Sequence, residues 1–183
     1  TMALRGIYVT TSGSDDSTGY SSAEGLASLK EAVGDAVTLD TIYIAAGTYT
    51  FSSPSAGNIS IDGSKNLVIK GAGAANTIID ANQKHRHFYF SASSSRTLLD
   101  TTFKIIDLTL KNGKPSGTGH GGSVVMIGYH ENDYGRKGHS PLFQNVVFER
   151  NQTNWTSNSS GYLGGAVYSY GGSTPSFRDV TFK

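Results

Sequence analysis

The chain writes nearly one phrase three times: Ile105-Ile106-Asp107-Leu108-Thr109-Leu110, Phe143-Gln144-Asn145-Val146-Val147-Phe148 and Phe177-Arg178-Asp179-Val180-Thr181-Phe182. Each copy is an apolar residue, a spacer, Asp or Asn, and then apolar residues alternating with others. A second phrase alternates with the first, as Gly121-Gly122-Ser123-Val124-Val125 and Gly164-Gly165-Ala166-Val167-Tyr168. The Asp/Asn positions fall 38 residues apart (107 to 145) and then 34 (145 to 179). Strands of fixed length joined by loops of free length produce such a repeat when they stack into a solenoid. A sandwich built from two-residue hairpins has no place for it.

Local patterns agree with an all-β chain. Ile7 to Thr10, Thr41 to Ala45, Thr48 to Phe51, Ile59 to Ile61, Leu67 to Ile69 and Thr77 to Asp80 are short β-branched or aromatic runs. Gly, Asn and Asp separate them, which are turn residues. The exception is Ser28-Leu29-Lys30-Glu31, a capping box whose Leu29, Ala32 and Val33 share one helical face. The pattern predicts a short helix over about residues 26–34. Its expected role is to close the open end of the solenoid, where an unpaired sheet edge would otherwise template aggregation.

A length of 183 residues suits one domain. We expect residues 1–40 to supply a first strand, a loop and the cap, and residues 41–183 the turns of the solenoid. Ending right after the third copy is what an N-terminal fragment of a longer solenoid would do. A net charge of +1 with 16% charged residues points away from nucleic acid and anionic membrane surfaces as partners. No apolar run reaches the length of a membrane span. The 23 glycines lack a three-residue period, which excludes a collagen-like chain. There is no cysteine, which fits an extracellular protein stabilised by repetitive packing and equally many intracellular ones.

With these motifs laid out, the chain resembles right-handed parallel β-helix proteins of the pectin-lyase-like superfamily. The likeness rests on Ile7 to Ser14, the capping helix, and Asp40 to Tyr49. The later Gly-Gly-Ser/Ala-Val and Phe-x-Asn/Asp phrases are similar to repeats of polymorphic outer-membrane protein adhesins. In those, Phe-x-x-Asn follows Gly-Gly-Ala-Ile/Val/Leu; here the polar residue is two places after Phe, and a further Asn stands at position 151. The resemblance implies a secreted or surface-displayed bacterial protein whose partner is a carbohydrate or a host-cell ligand. The same scaffold also hosts lyases and hydrolases. Lyases of this fold commonly hold Ca²⁺ on clustered carboxylates and use a Lys or Arg base.

Stacking the copies assigns Asp107, Asn145 and Asp179 to a structural ladder that hydrogen-bonds the turn backbone, and places Leu108, Val146 and Val180 in the core. Candidate chemistry then falls on the segments that differ between copies. The densest is the loop from 129 to 139, with Tyr129, His130, Glu131, Asp133, Tyr134, Arg136 and Lys137. There, aromatic rings can stack on sugars while charged groups bond hydroxyls or acidic sugars. A second is 151–162, which carries Trp155, the only tryptophan. Glu131 and Asp133 with Arg136 or Lys137 are the nearest approach to a lyase set, but a convergent pair of acids is missing, so no catalytic residue is assigned. His85-Arg86-His87 has no evident third ligand and reads as a strand-edge surface patch rather than a metal site. The expectation is adhesion or glycan binding without a cofactor. The alternatives are a polysaccharide lyase or glycoside hydrolase completed outside these residues, with Ca²⁺ if a lyase, and a plain structural stalk.

Overall fold

The computed structural model describes residues 5–92, 98–117, 119–131, 135–154 and 163–183. Strands make up 38% of the described residues and helical turns of all kinds 10%, so the fold is all-β. The chain opens with β1 (Gly6–Val9) and α1 (Leu29–Asp35), the one α-helix among the described residues, followed by β2 (Thr41–Ile44), β3 (Gly47–Thr50), β4 (Ile59–Ile61), β5 (Val68–Lys70) and β6 (Thr77–Asp80). Then come β7 (Phe88–Ser91), β8 (Lys104–Lys111), β9 (Val124–Ile127), β10 (Tyr129–Glu131) and β11 (Gly135–Lys137). The last are β12 (Leu142–Glu149), β13 (Val167–Tyr170), β14 (Ser176–Arg178) and β15 (Thr181–Phe182).

Pairing among them is parallel except in the hairpin β10–β11. Nine strands form one sheet, with the order β1-β2-β5-β8-β12-β14 along one path. The long strands β8 and β12 each serve two rows. Their first halves pair with β5 and β14, and their second halves with β6 and β15. Between the halves sit Asp107 (φ 58°), Asn145 (φ 50°) and Asp179 (φ 52°), all left-handed. Asp and Asn tolerate that conformation better than other residues with a Cβ. The repeated polar residue is therefore a corner that turns the strand. Asn145 Nδ2 donates to Asp107 Oδ1 at 2.8 Å, so the observed bond runs between side chains, on the exposed side of the corner. The turn backbone uses the peptide oxygen of Asp107 instead, which accepts from Gly73 N–H.

A second sheet holds β13-β9-β7-β4 in that order. The inward residues of both sheets meet in one hydrophobic cluster, with Ile42, Ile69, Ile105 and Phe143 from one sheet and Phe88, Phe90, Val124 and Met126 from the other. Leu108 and Val146 are fully buried in it, as are Leu110 and, at 1% exposure, Phe148. The corresponding Val180 is only half-buried and Phe182 is 54% exposed, because among the described residues no further strand lies on β15. At about 25 cal/mol per Å², each fully buried Leu or Phe of the stack contributes about 1.5–3 kcal/mol.

The helix begins at Leu29, three residues later than the sequence suggests. Ser28 caps it, its Oγ accepting from Glu31 N–H at 3.1 Å. Leu26 is instead drawn against the first strand: its N–H donates to Tyr8 O at 2.8 Å and its carbonyl accepts from Thr10 N–H at 2.9 Å. Leu29, Ala32 and Val33 are buried beneath the helix. A buried Asp40 locks helix to sheet, accepting from Val37 N–H at 3.0 Å and pairing with Arg5 at 3.0 Å.

Candidate functional site

Along the four-stranded sheet the inward side chains Phe88, Phe90, Val124 and Met126 are fully buried. Alternation sends their neighbours outward. Parallel register then aligns Ser60, Tyr89, Val125 and Tyr168 in one column, and Ser91, Ile127 and Tyr170 in the next. Strand spacing of about 4.8 Å puts successive members of a column in contact range. The His120 ring stacks on Tyr168 (4.2 Å, 12°), and the Tyr170 ring is nearly parallel to that of Tyr168 (6.3 Å, 6°). Three ring planes thus share nearly one orientation at this edge of the face.

Arg86 lies beside it, half-buried, with its guanidinium 6.0 Å from the Tyr89 ring centre. It donates to the carbonyls of Gly121 (3.3 Å) and His120 (3.1 Å) and to Asn58 Oδ1 (3.2 Å). No carboxylate pairs with it among the described residues. Burial lowers its pKa from the ordinary arginine value, and it remains a cation. The charge is fixed in place by neutral acceptors next to an aromatic face.

The loop at 129–139 begins where this face ends. Gly128 N–H donates to Tyr170 O, and a Cβ on Gly128 would meet Gly171 O at 2.0 Å and Lys137 O at 2.5 Å. Only glycine lets the three backbones approach so closely. Beyond it, Tyr129 pairs with Lys137, His130 with Arg136 and Glu131 with Gly135 in an antiparallel hairpin. The sequence suggested a loop here; the two short strands arise because the segment is long enough to pair with itself. Tyr129 is half-buried and Lys137 exposed. Asp133, Tyr134 and Trp155 lie outside the described residues.

His85 and His87 do not form the surface patch expected of them. The stretch is not a strand, and His87 is fully buried between the sheets. Its Nε2–H donates to the Ile79 carbonyl at 2.9 Å, which leaves Nδ1 to accept from the Ser123 hydroxyl at 2.9 Å. Burial pulls its pKa down to about 4. This bond explains why the first Gly-Gly phrase carries Ser123 where the second carries Ala166.

Several carboxylates have structural partners. Asp15 accepts from Ala27 and Ser28 N–H, Asp62 from Ser64, Asp80 from Asn112, and Asp100 from Thr102. Glu149 joins Lys183 (3.2 Å) and Lys111 (3.5 Å) beside a concavity of about 610 Å³ over Ile78, Thr109 and Val147. Asn151 proved structural as well. Its Oδ1 accepts from Gly113 N–H at 2.7 Å and its Nδ2 donates to Leu110 O at 2.9 Å, so it clamps the turn beneath. Among the described residues, no group of three His, Asp or Glu is placed to hold a metal ion.

Sequence reasoning passed over Tyr89, His120, Tyr168 and Tyr170. The alternation in Phe88-Tyr89-Phe90 and Tyr168-Ser169-Tyr170 marks the tyrosines as outward, but only the register sets them on one sheet face, with the buried Val125 between Tyr89 and Tyr168. No family model, curated protein or solved structure matches this chain, so its function rests on its own geometry.

Proposed function

We propose that this chain is a right-handed parallel β-helix domain, secreted or displayed on a bacterial surface, that binds glycan along the outer face of its four-stranded sheet. The in-register parallel pairing, the recurring left-handed corners and the two sheets over one core support the fold. The observation that carries the function is the aromatic surface of Tyr89, His120, Tyr168 and Tyr170, with a fixed cation at Arg86 and the hairpin at its end. Ring faces take up the apolar C–H faces of sugars, and the flanking polar groups select hydroxyls or acidic substituents. Tyr129, His130, Glu131, Arg136 and Lys137 belong to that hairpin, and Asp133, Tyr134 and Trp155 are proposed with them as ligand contacts.

Affinity electrophoresis through gels containing neutral or acidic polysaccharides tests the reading. The protein should be retarded by at least one polysaccharide. Tyr89→Ala and Tyr168→Ala should each weaken retardation about tenfold, while Tyr43→Ala on the other sheet should leave it unchanged. Free migration in every gel would remove glycan binding as the function. Ultraviolet-absorbing unsaturated product from a polyuronate would instead assign the chain to the lyases.

A further inference from the structure

The corner that follows β8 carries Asn112-Gly113, the single Asn-Gly pair in the chain. The backbone there favours both residues. Asn112 is left-handed (φ 54°), where Asn is better tolerated than most residues with a Cβ. Gly113 is buried, and a Cβ on it would collide with the Gly122 carbonyl. Such a pair is chemically labile, because a residue without a Cβ lets its peptide nitrogen reach the preceding Asn side chain. Here that nitrogen is held. Gly113 N–H donates to Asn151 Oδ1 at 2.7 Å, while Asn151 Nδ2 donates to Leu110 O at 2.9 Å. Asn112 is fastened on three further sides. Its N–H donates to Glu149 O and its carbonyl accepts from Gln83 N–H, both at 2.9 Å. Its Nδ2 donates to Asp80 Oδ1, also at 2.9 Å. One strand on, the same corner is Arg150-Asn151, left-handed at Arg150 and with no side-chain amide there to cyclise.

We propose that Asn112 is a site of spontaneous deamidation, held shut in the folded chain by Asn151 and irreversible once the corner has opened. On opening, base removes the Gly113 amide proton and the nitrogen forms a bond to Asn112 Cγ. The Cγ–Nδ2 bond breaks, and ammonia leaves with a proton taken from water. Water then opens the cyclic imide. Addition at Cγ gives aspartate, and addition at the main-chain carbonyl carbon gives isoaspartate. The sum is asparagine and water to acid and ammonia, with no further reactant. Aspartate sets a carboxylate where an N–H donor faced Asp80, so two like charges meet. Isoaspartate lengthens the backbone at the corner itself. Neither product refits the clamp as Asn112 does. The corner therefore records, permanently, the time it has spent open.

Peptide mapping of the full 183-residue chain, incubated in mildly alkaline buffer, tests this. It separates the asparagine, aspartate and isoaspartate forms of the segment that holds Asn112. In urea Asn112 should convert faster than any other asparagine of the chain. In the folded chain it should convert about a hundredfold more slowly than in urea. Asn151→Ala removes both clamp bonds and should raise the folded-state rate about tenfold. Ser28→Ala weakens the chain at the helix cap instead and should leave that rate within about twofold. Asn112→Asp, the product, should lower the urea midpoint. Adding Asp80→Asn returns a donor opposite the new carboxylate and should recover most of that shift. Conversion as fast in the folded chain as in urea would overturn the proposal. So would an Asn151→Ala rate no higher than that of Ser28→Ala, or an unchanged midpoint in Asn112→Asp. The readout requires no glycan, so it stands or falls apart from the proposed function.

Discussion

The first strand and the last described strands of the stack are covered differently. At the first strand, the segment from residues 13 to 27 lies along the free edge of β1, and Gly19, Leu26 and Tyr8 exchange backbone hydrogen bonds there. The helix α1 then covers the apolar interior with Leu29, Ala32 and Val33. At the last strands neither device exists among the described residues, and the aromatic ladder continues to the surface at Phe177 and Phe182. The difference teaches that edge protection is a separate investment from core packing. Residues of the same type in the same pattern stabilise strongly when a level lies on both sides, and weakly when it lies on one.

Matched substitutions at the two ends should break or sharpen that contrast. Val33→Asp puts a charge under the sealed cap and should cost at least about 3 kcal/mol in urea unfolding, against about 1 kcal/mol or less for Phe182→Asp. Equal costs would mean that the cap is not sealed. Acid probes the interior between the ends. The folded pKa of His87, about 4, lies below its ordinary value of 6.5. The unfolded chain therefore takes up the proton first. Stability should be unaffected by this group above about pH 6.5 and fall as pH drops toward 4, by up to about 3 kcal/mol. His87→Gln should flatten that slope in urea midpoints measured from pH 7 to 4, and an unchanged slope would exclude His87 as its source. His139, lowered mainly by burial, acts in the same direction.

Smaller effects complete the series. Ser28→Ala removes the helix cap and should cost about 1 kcal/mol. Amide exchange in α1 should quicken while that of β12 changes only in step with global stability. At the opposite end Lys183→Ala loses an exposed partner of Glu149 and should stay within about 0.5 kcal/mol in the same urea assay. A larger loss there would show that the last strand is held by charge rather than by its phenylalanines.

The sequence made the strands, the cap and the recurring corner legible because each is written locally, in alternation, a capping box, or a phrase that returns. What it left dark depends on partners far along the chain. Asn151 clamps Gly113, 38 residues away in the sequence, and His87 meets Ser123, 36 residues away. The spacing of Phe148 and Asn151 was visible, but not the turn beneath them. Arg86 read only as part of a strand-edge surface patch, whereas it is held beside the aromatic face by the carbonyls of His120 and Gly121, 34 and 35 residues away. Asp15 read as part of a polar loop, although it holds Ala27 and Ser28 in place ahead of the cap.

The left-handed corner has a consequence for how such a chain can change its length. Because Asp107, Asn145 and Asp179 turn the strand at the same register, everything from one corner to the next forms an interchangeable cassette. Duplicating or excising residues 108–145 would join one corner to the following apolar run without shifting any inward residue outward. Variation within a cassette, such as in the hairpin at 129–137, leaves the register of the corners on either side unchanged. Growth by whole cassettes, with free diversification inside each, is the route by which a surface like this one can be rewritten while its interior stays as it is.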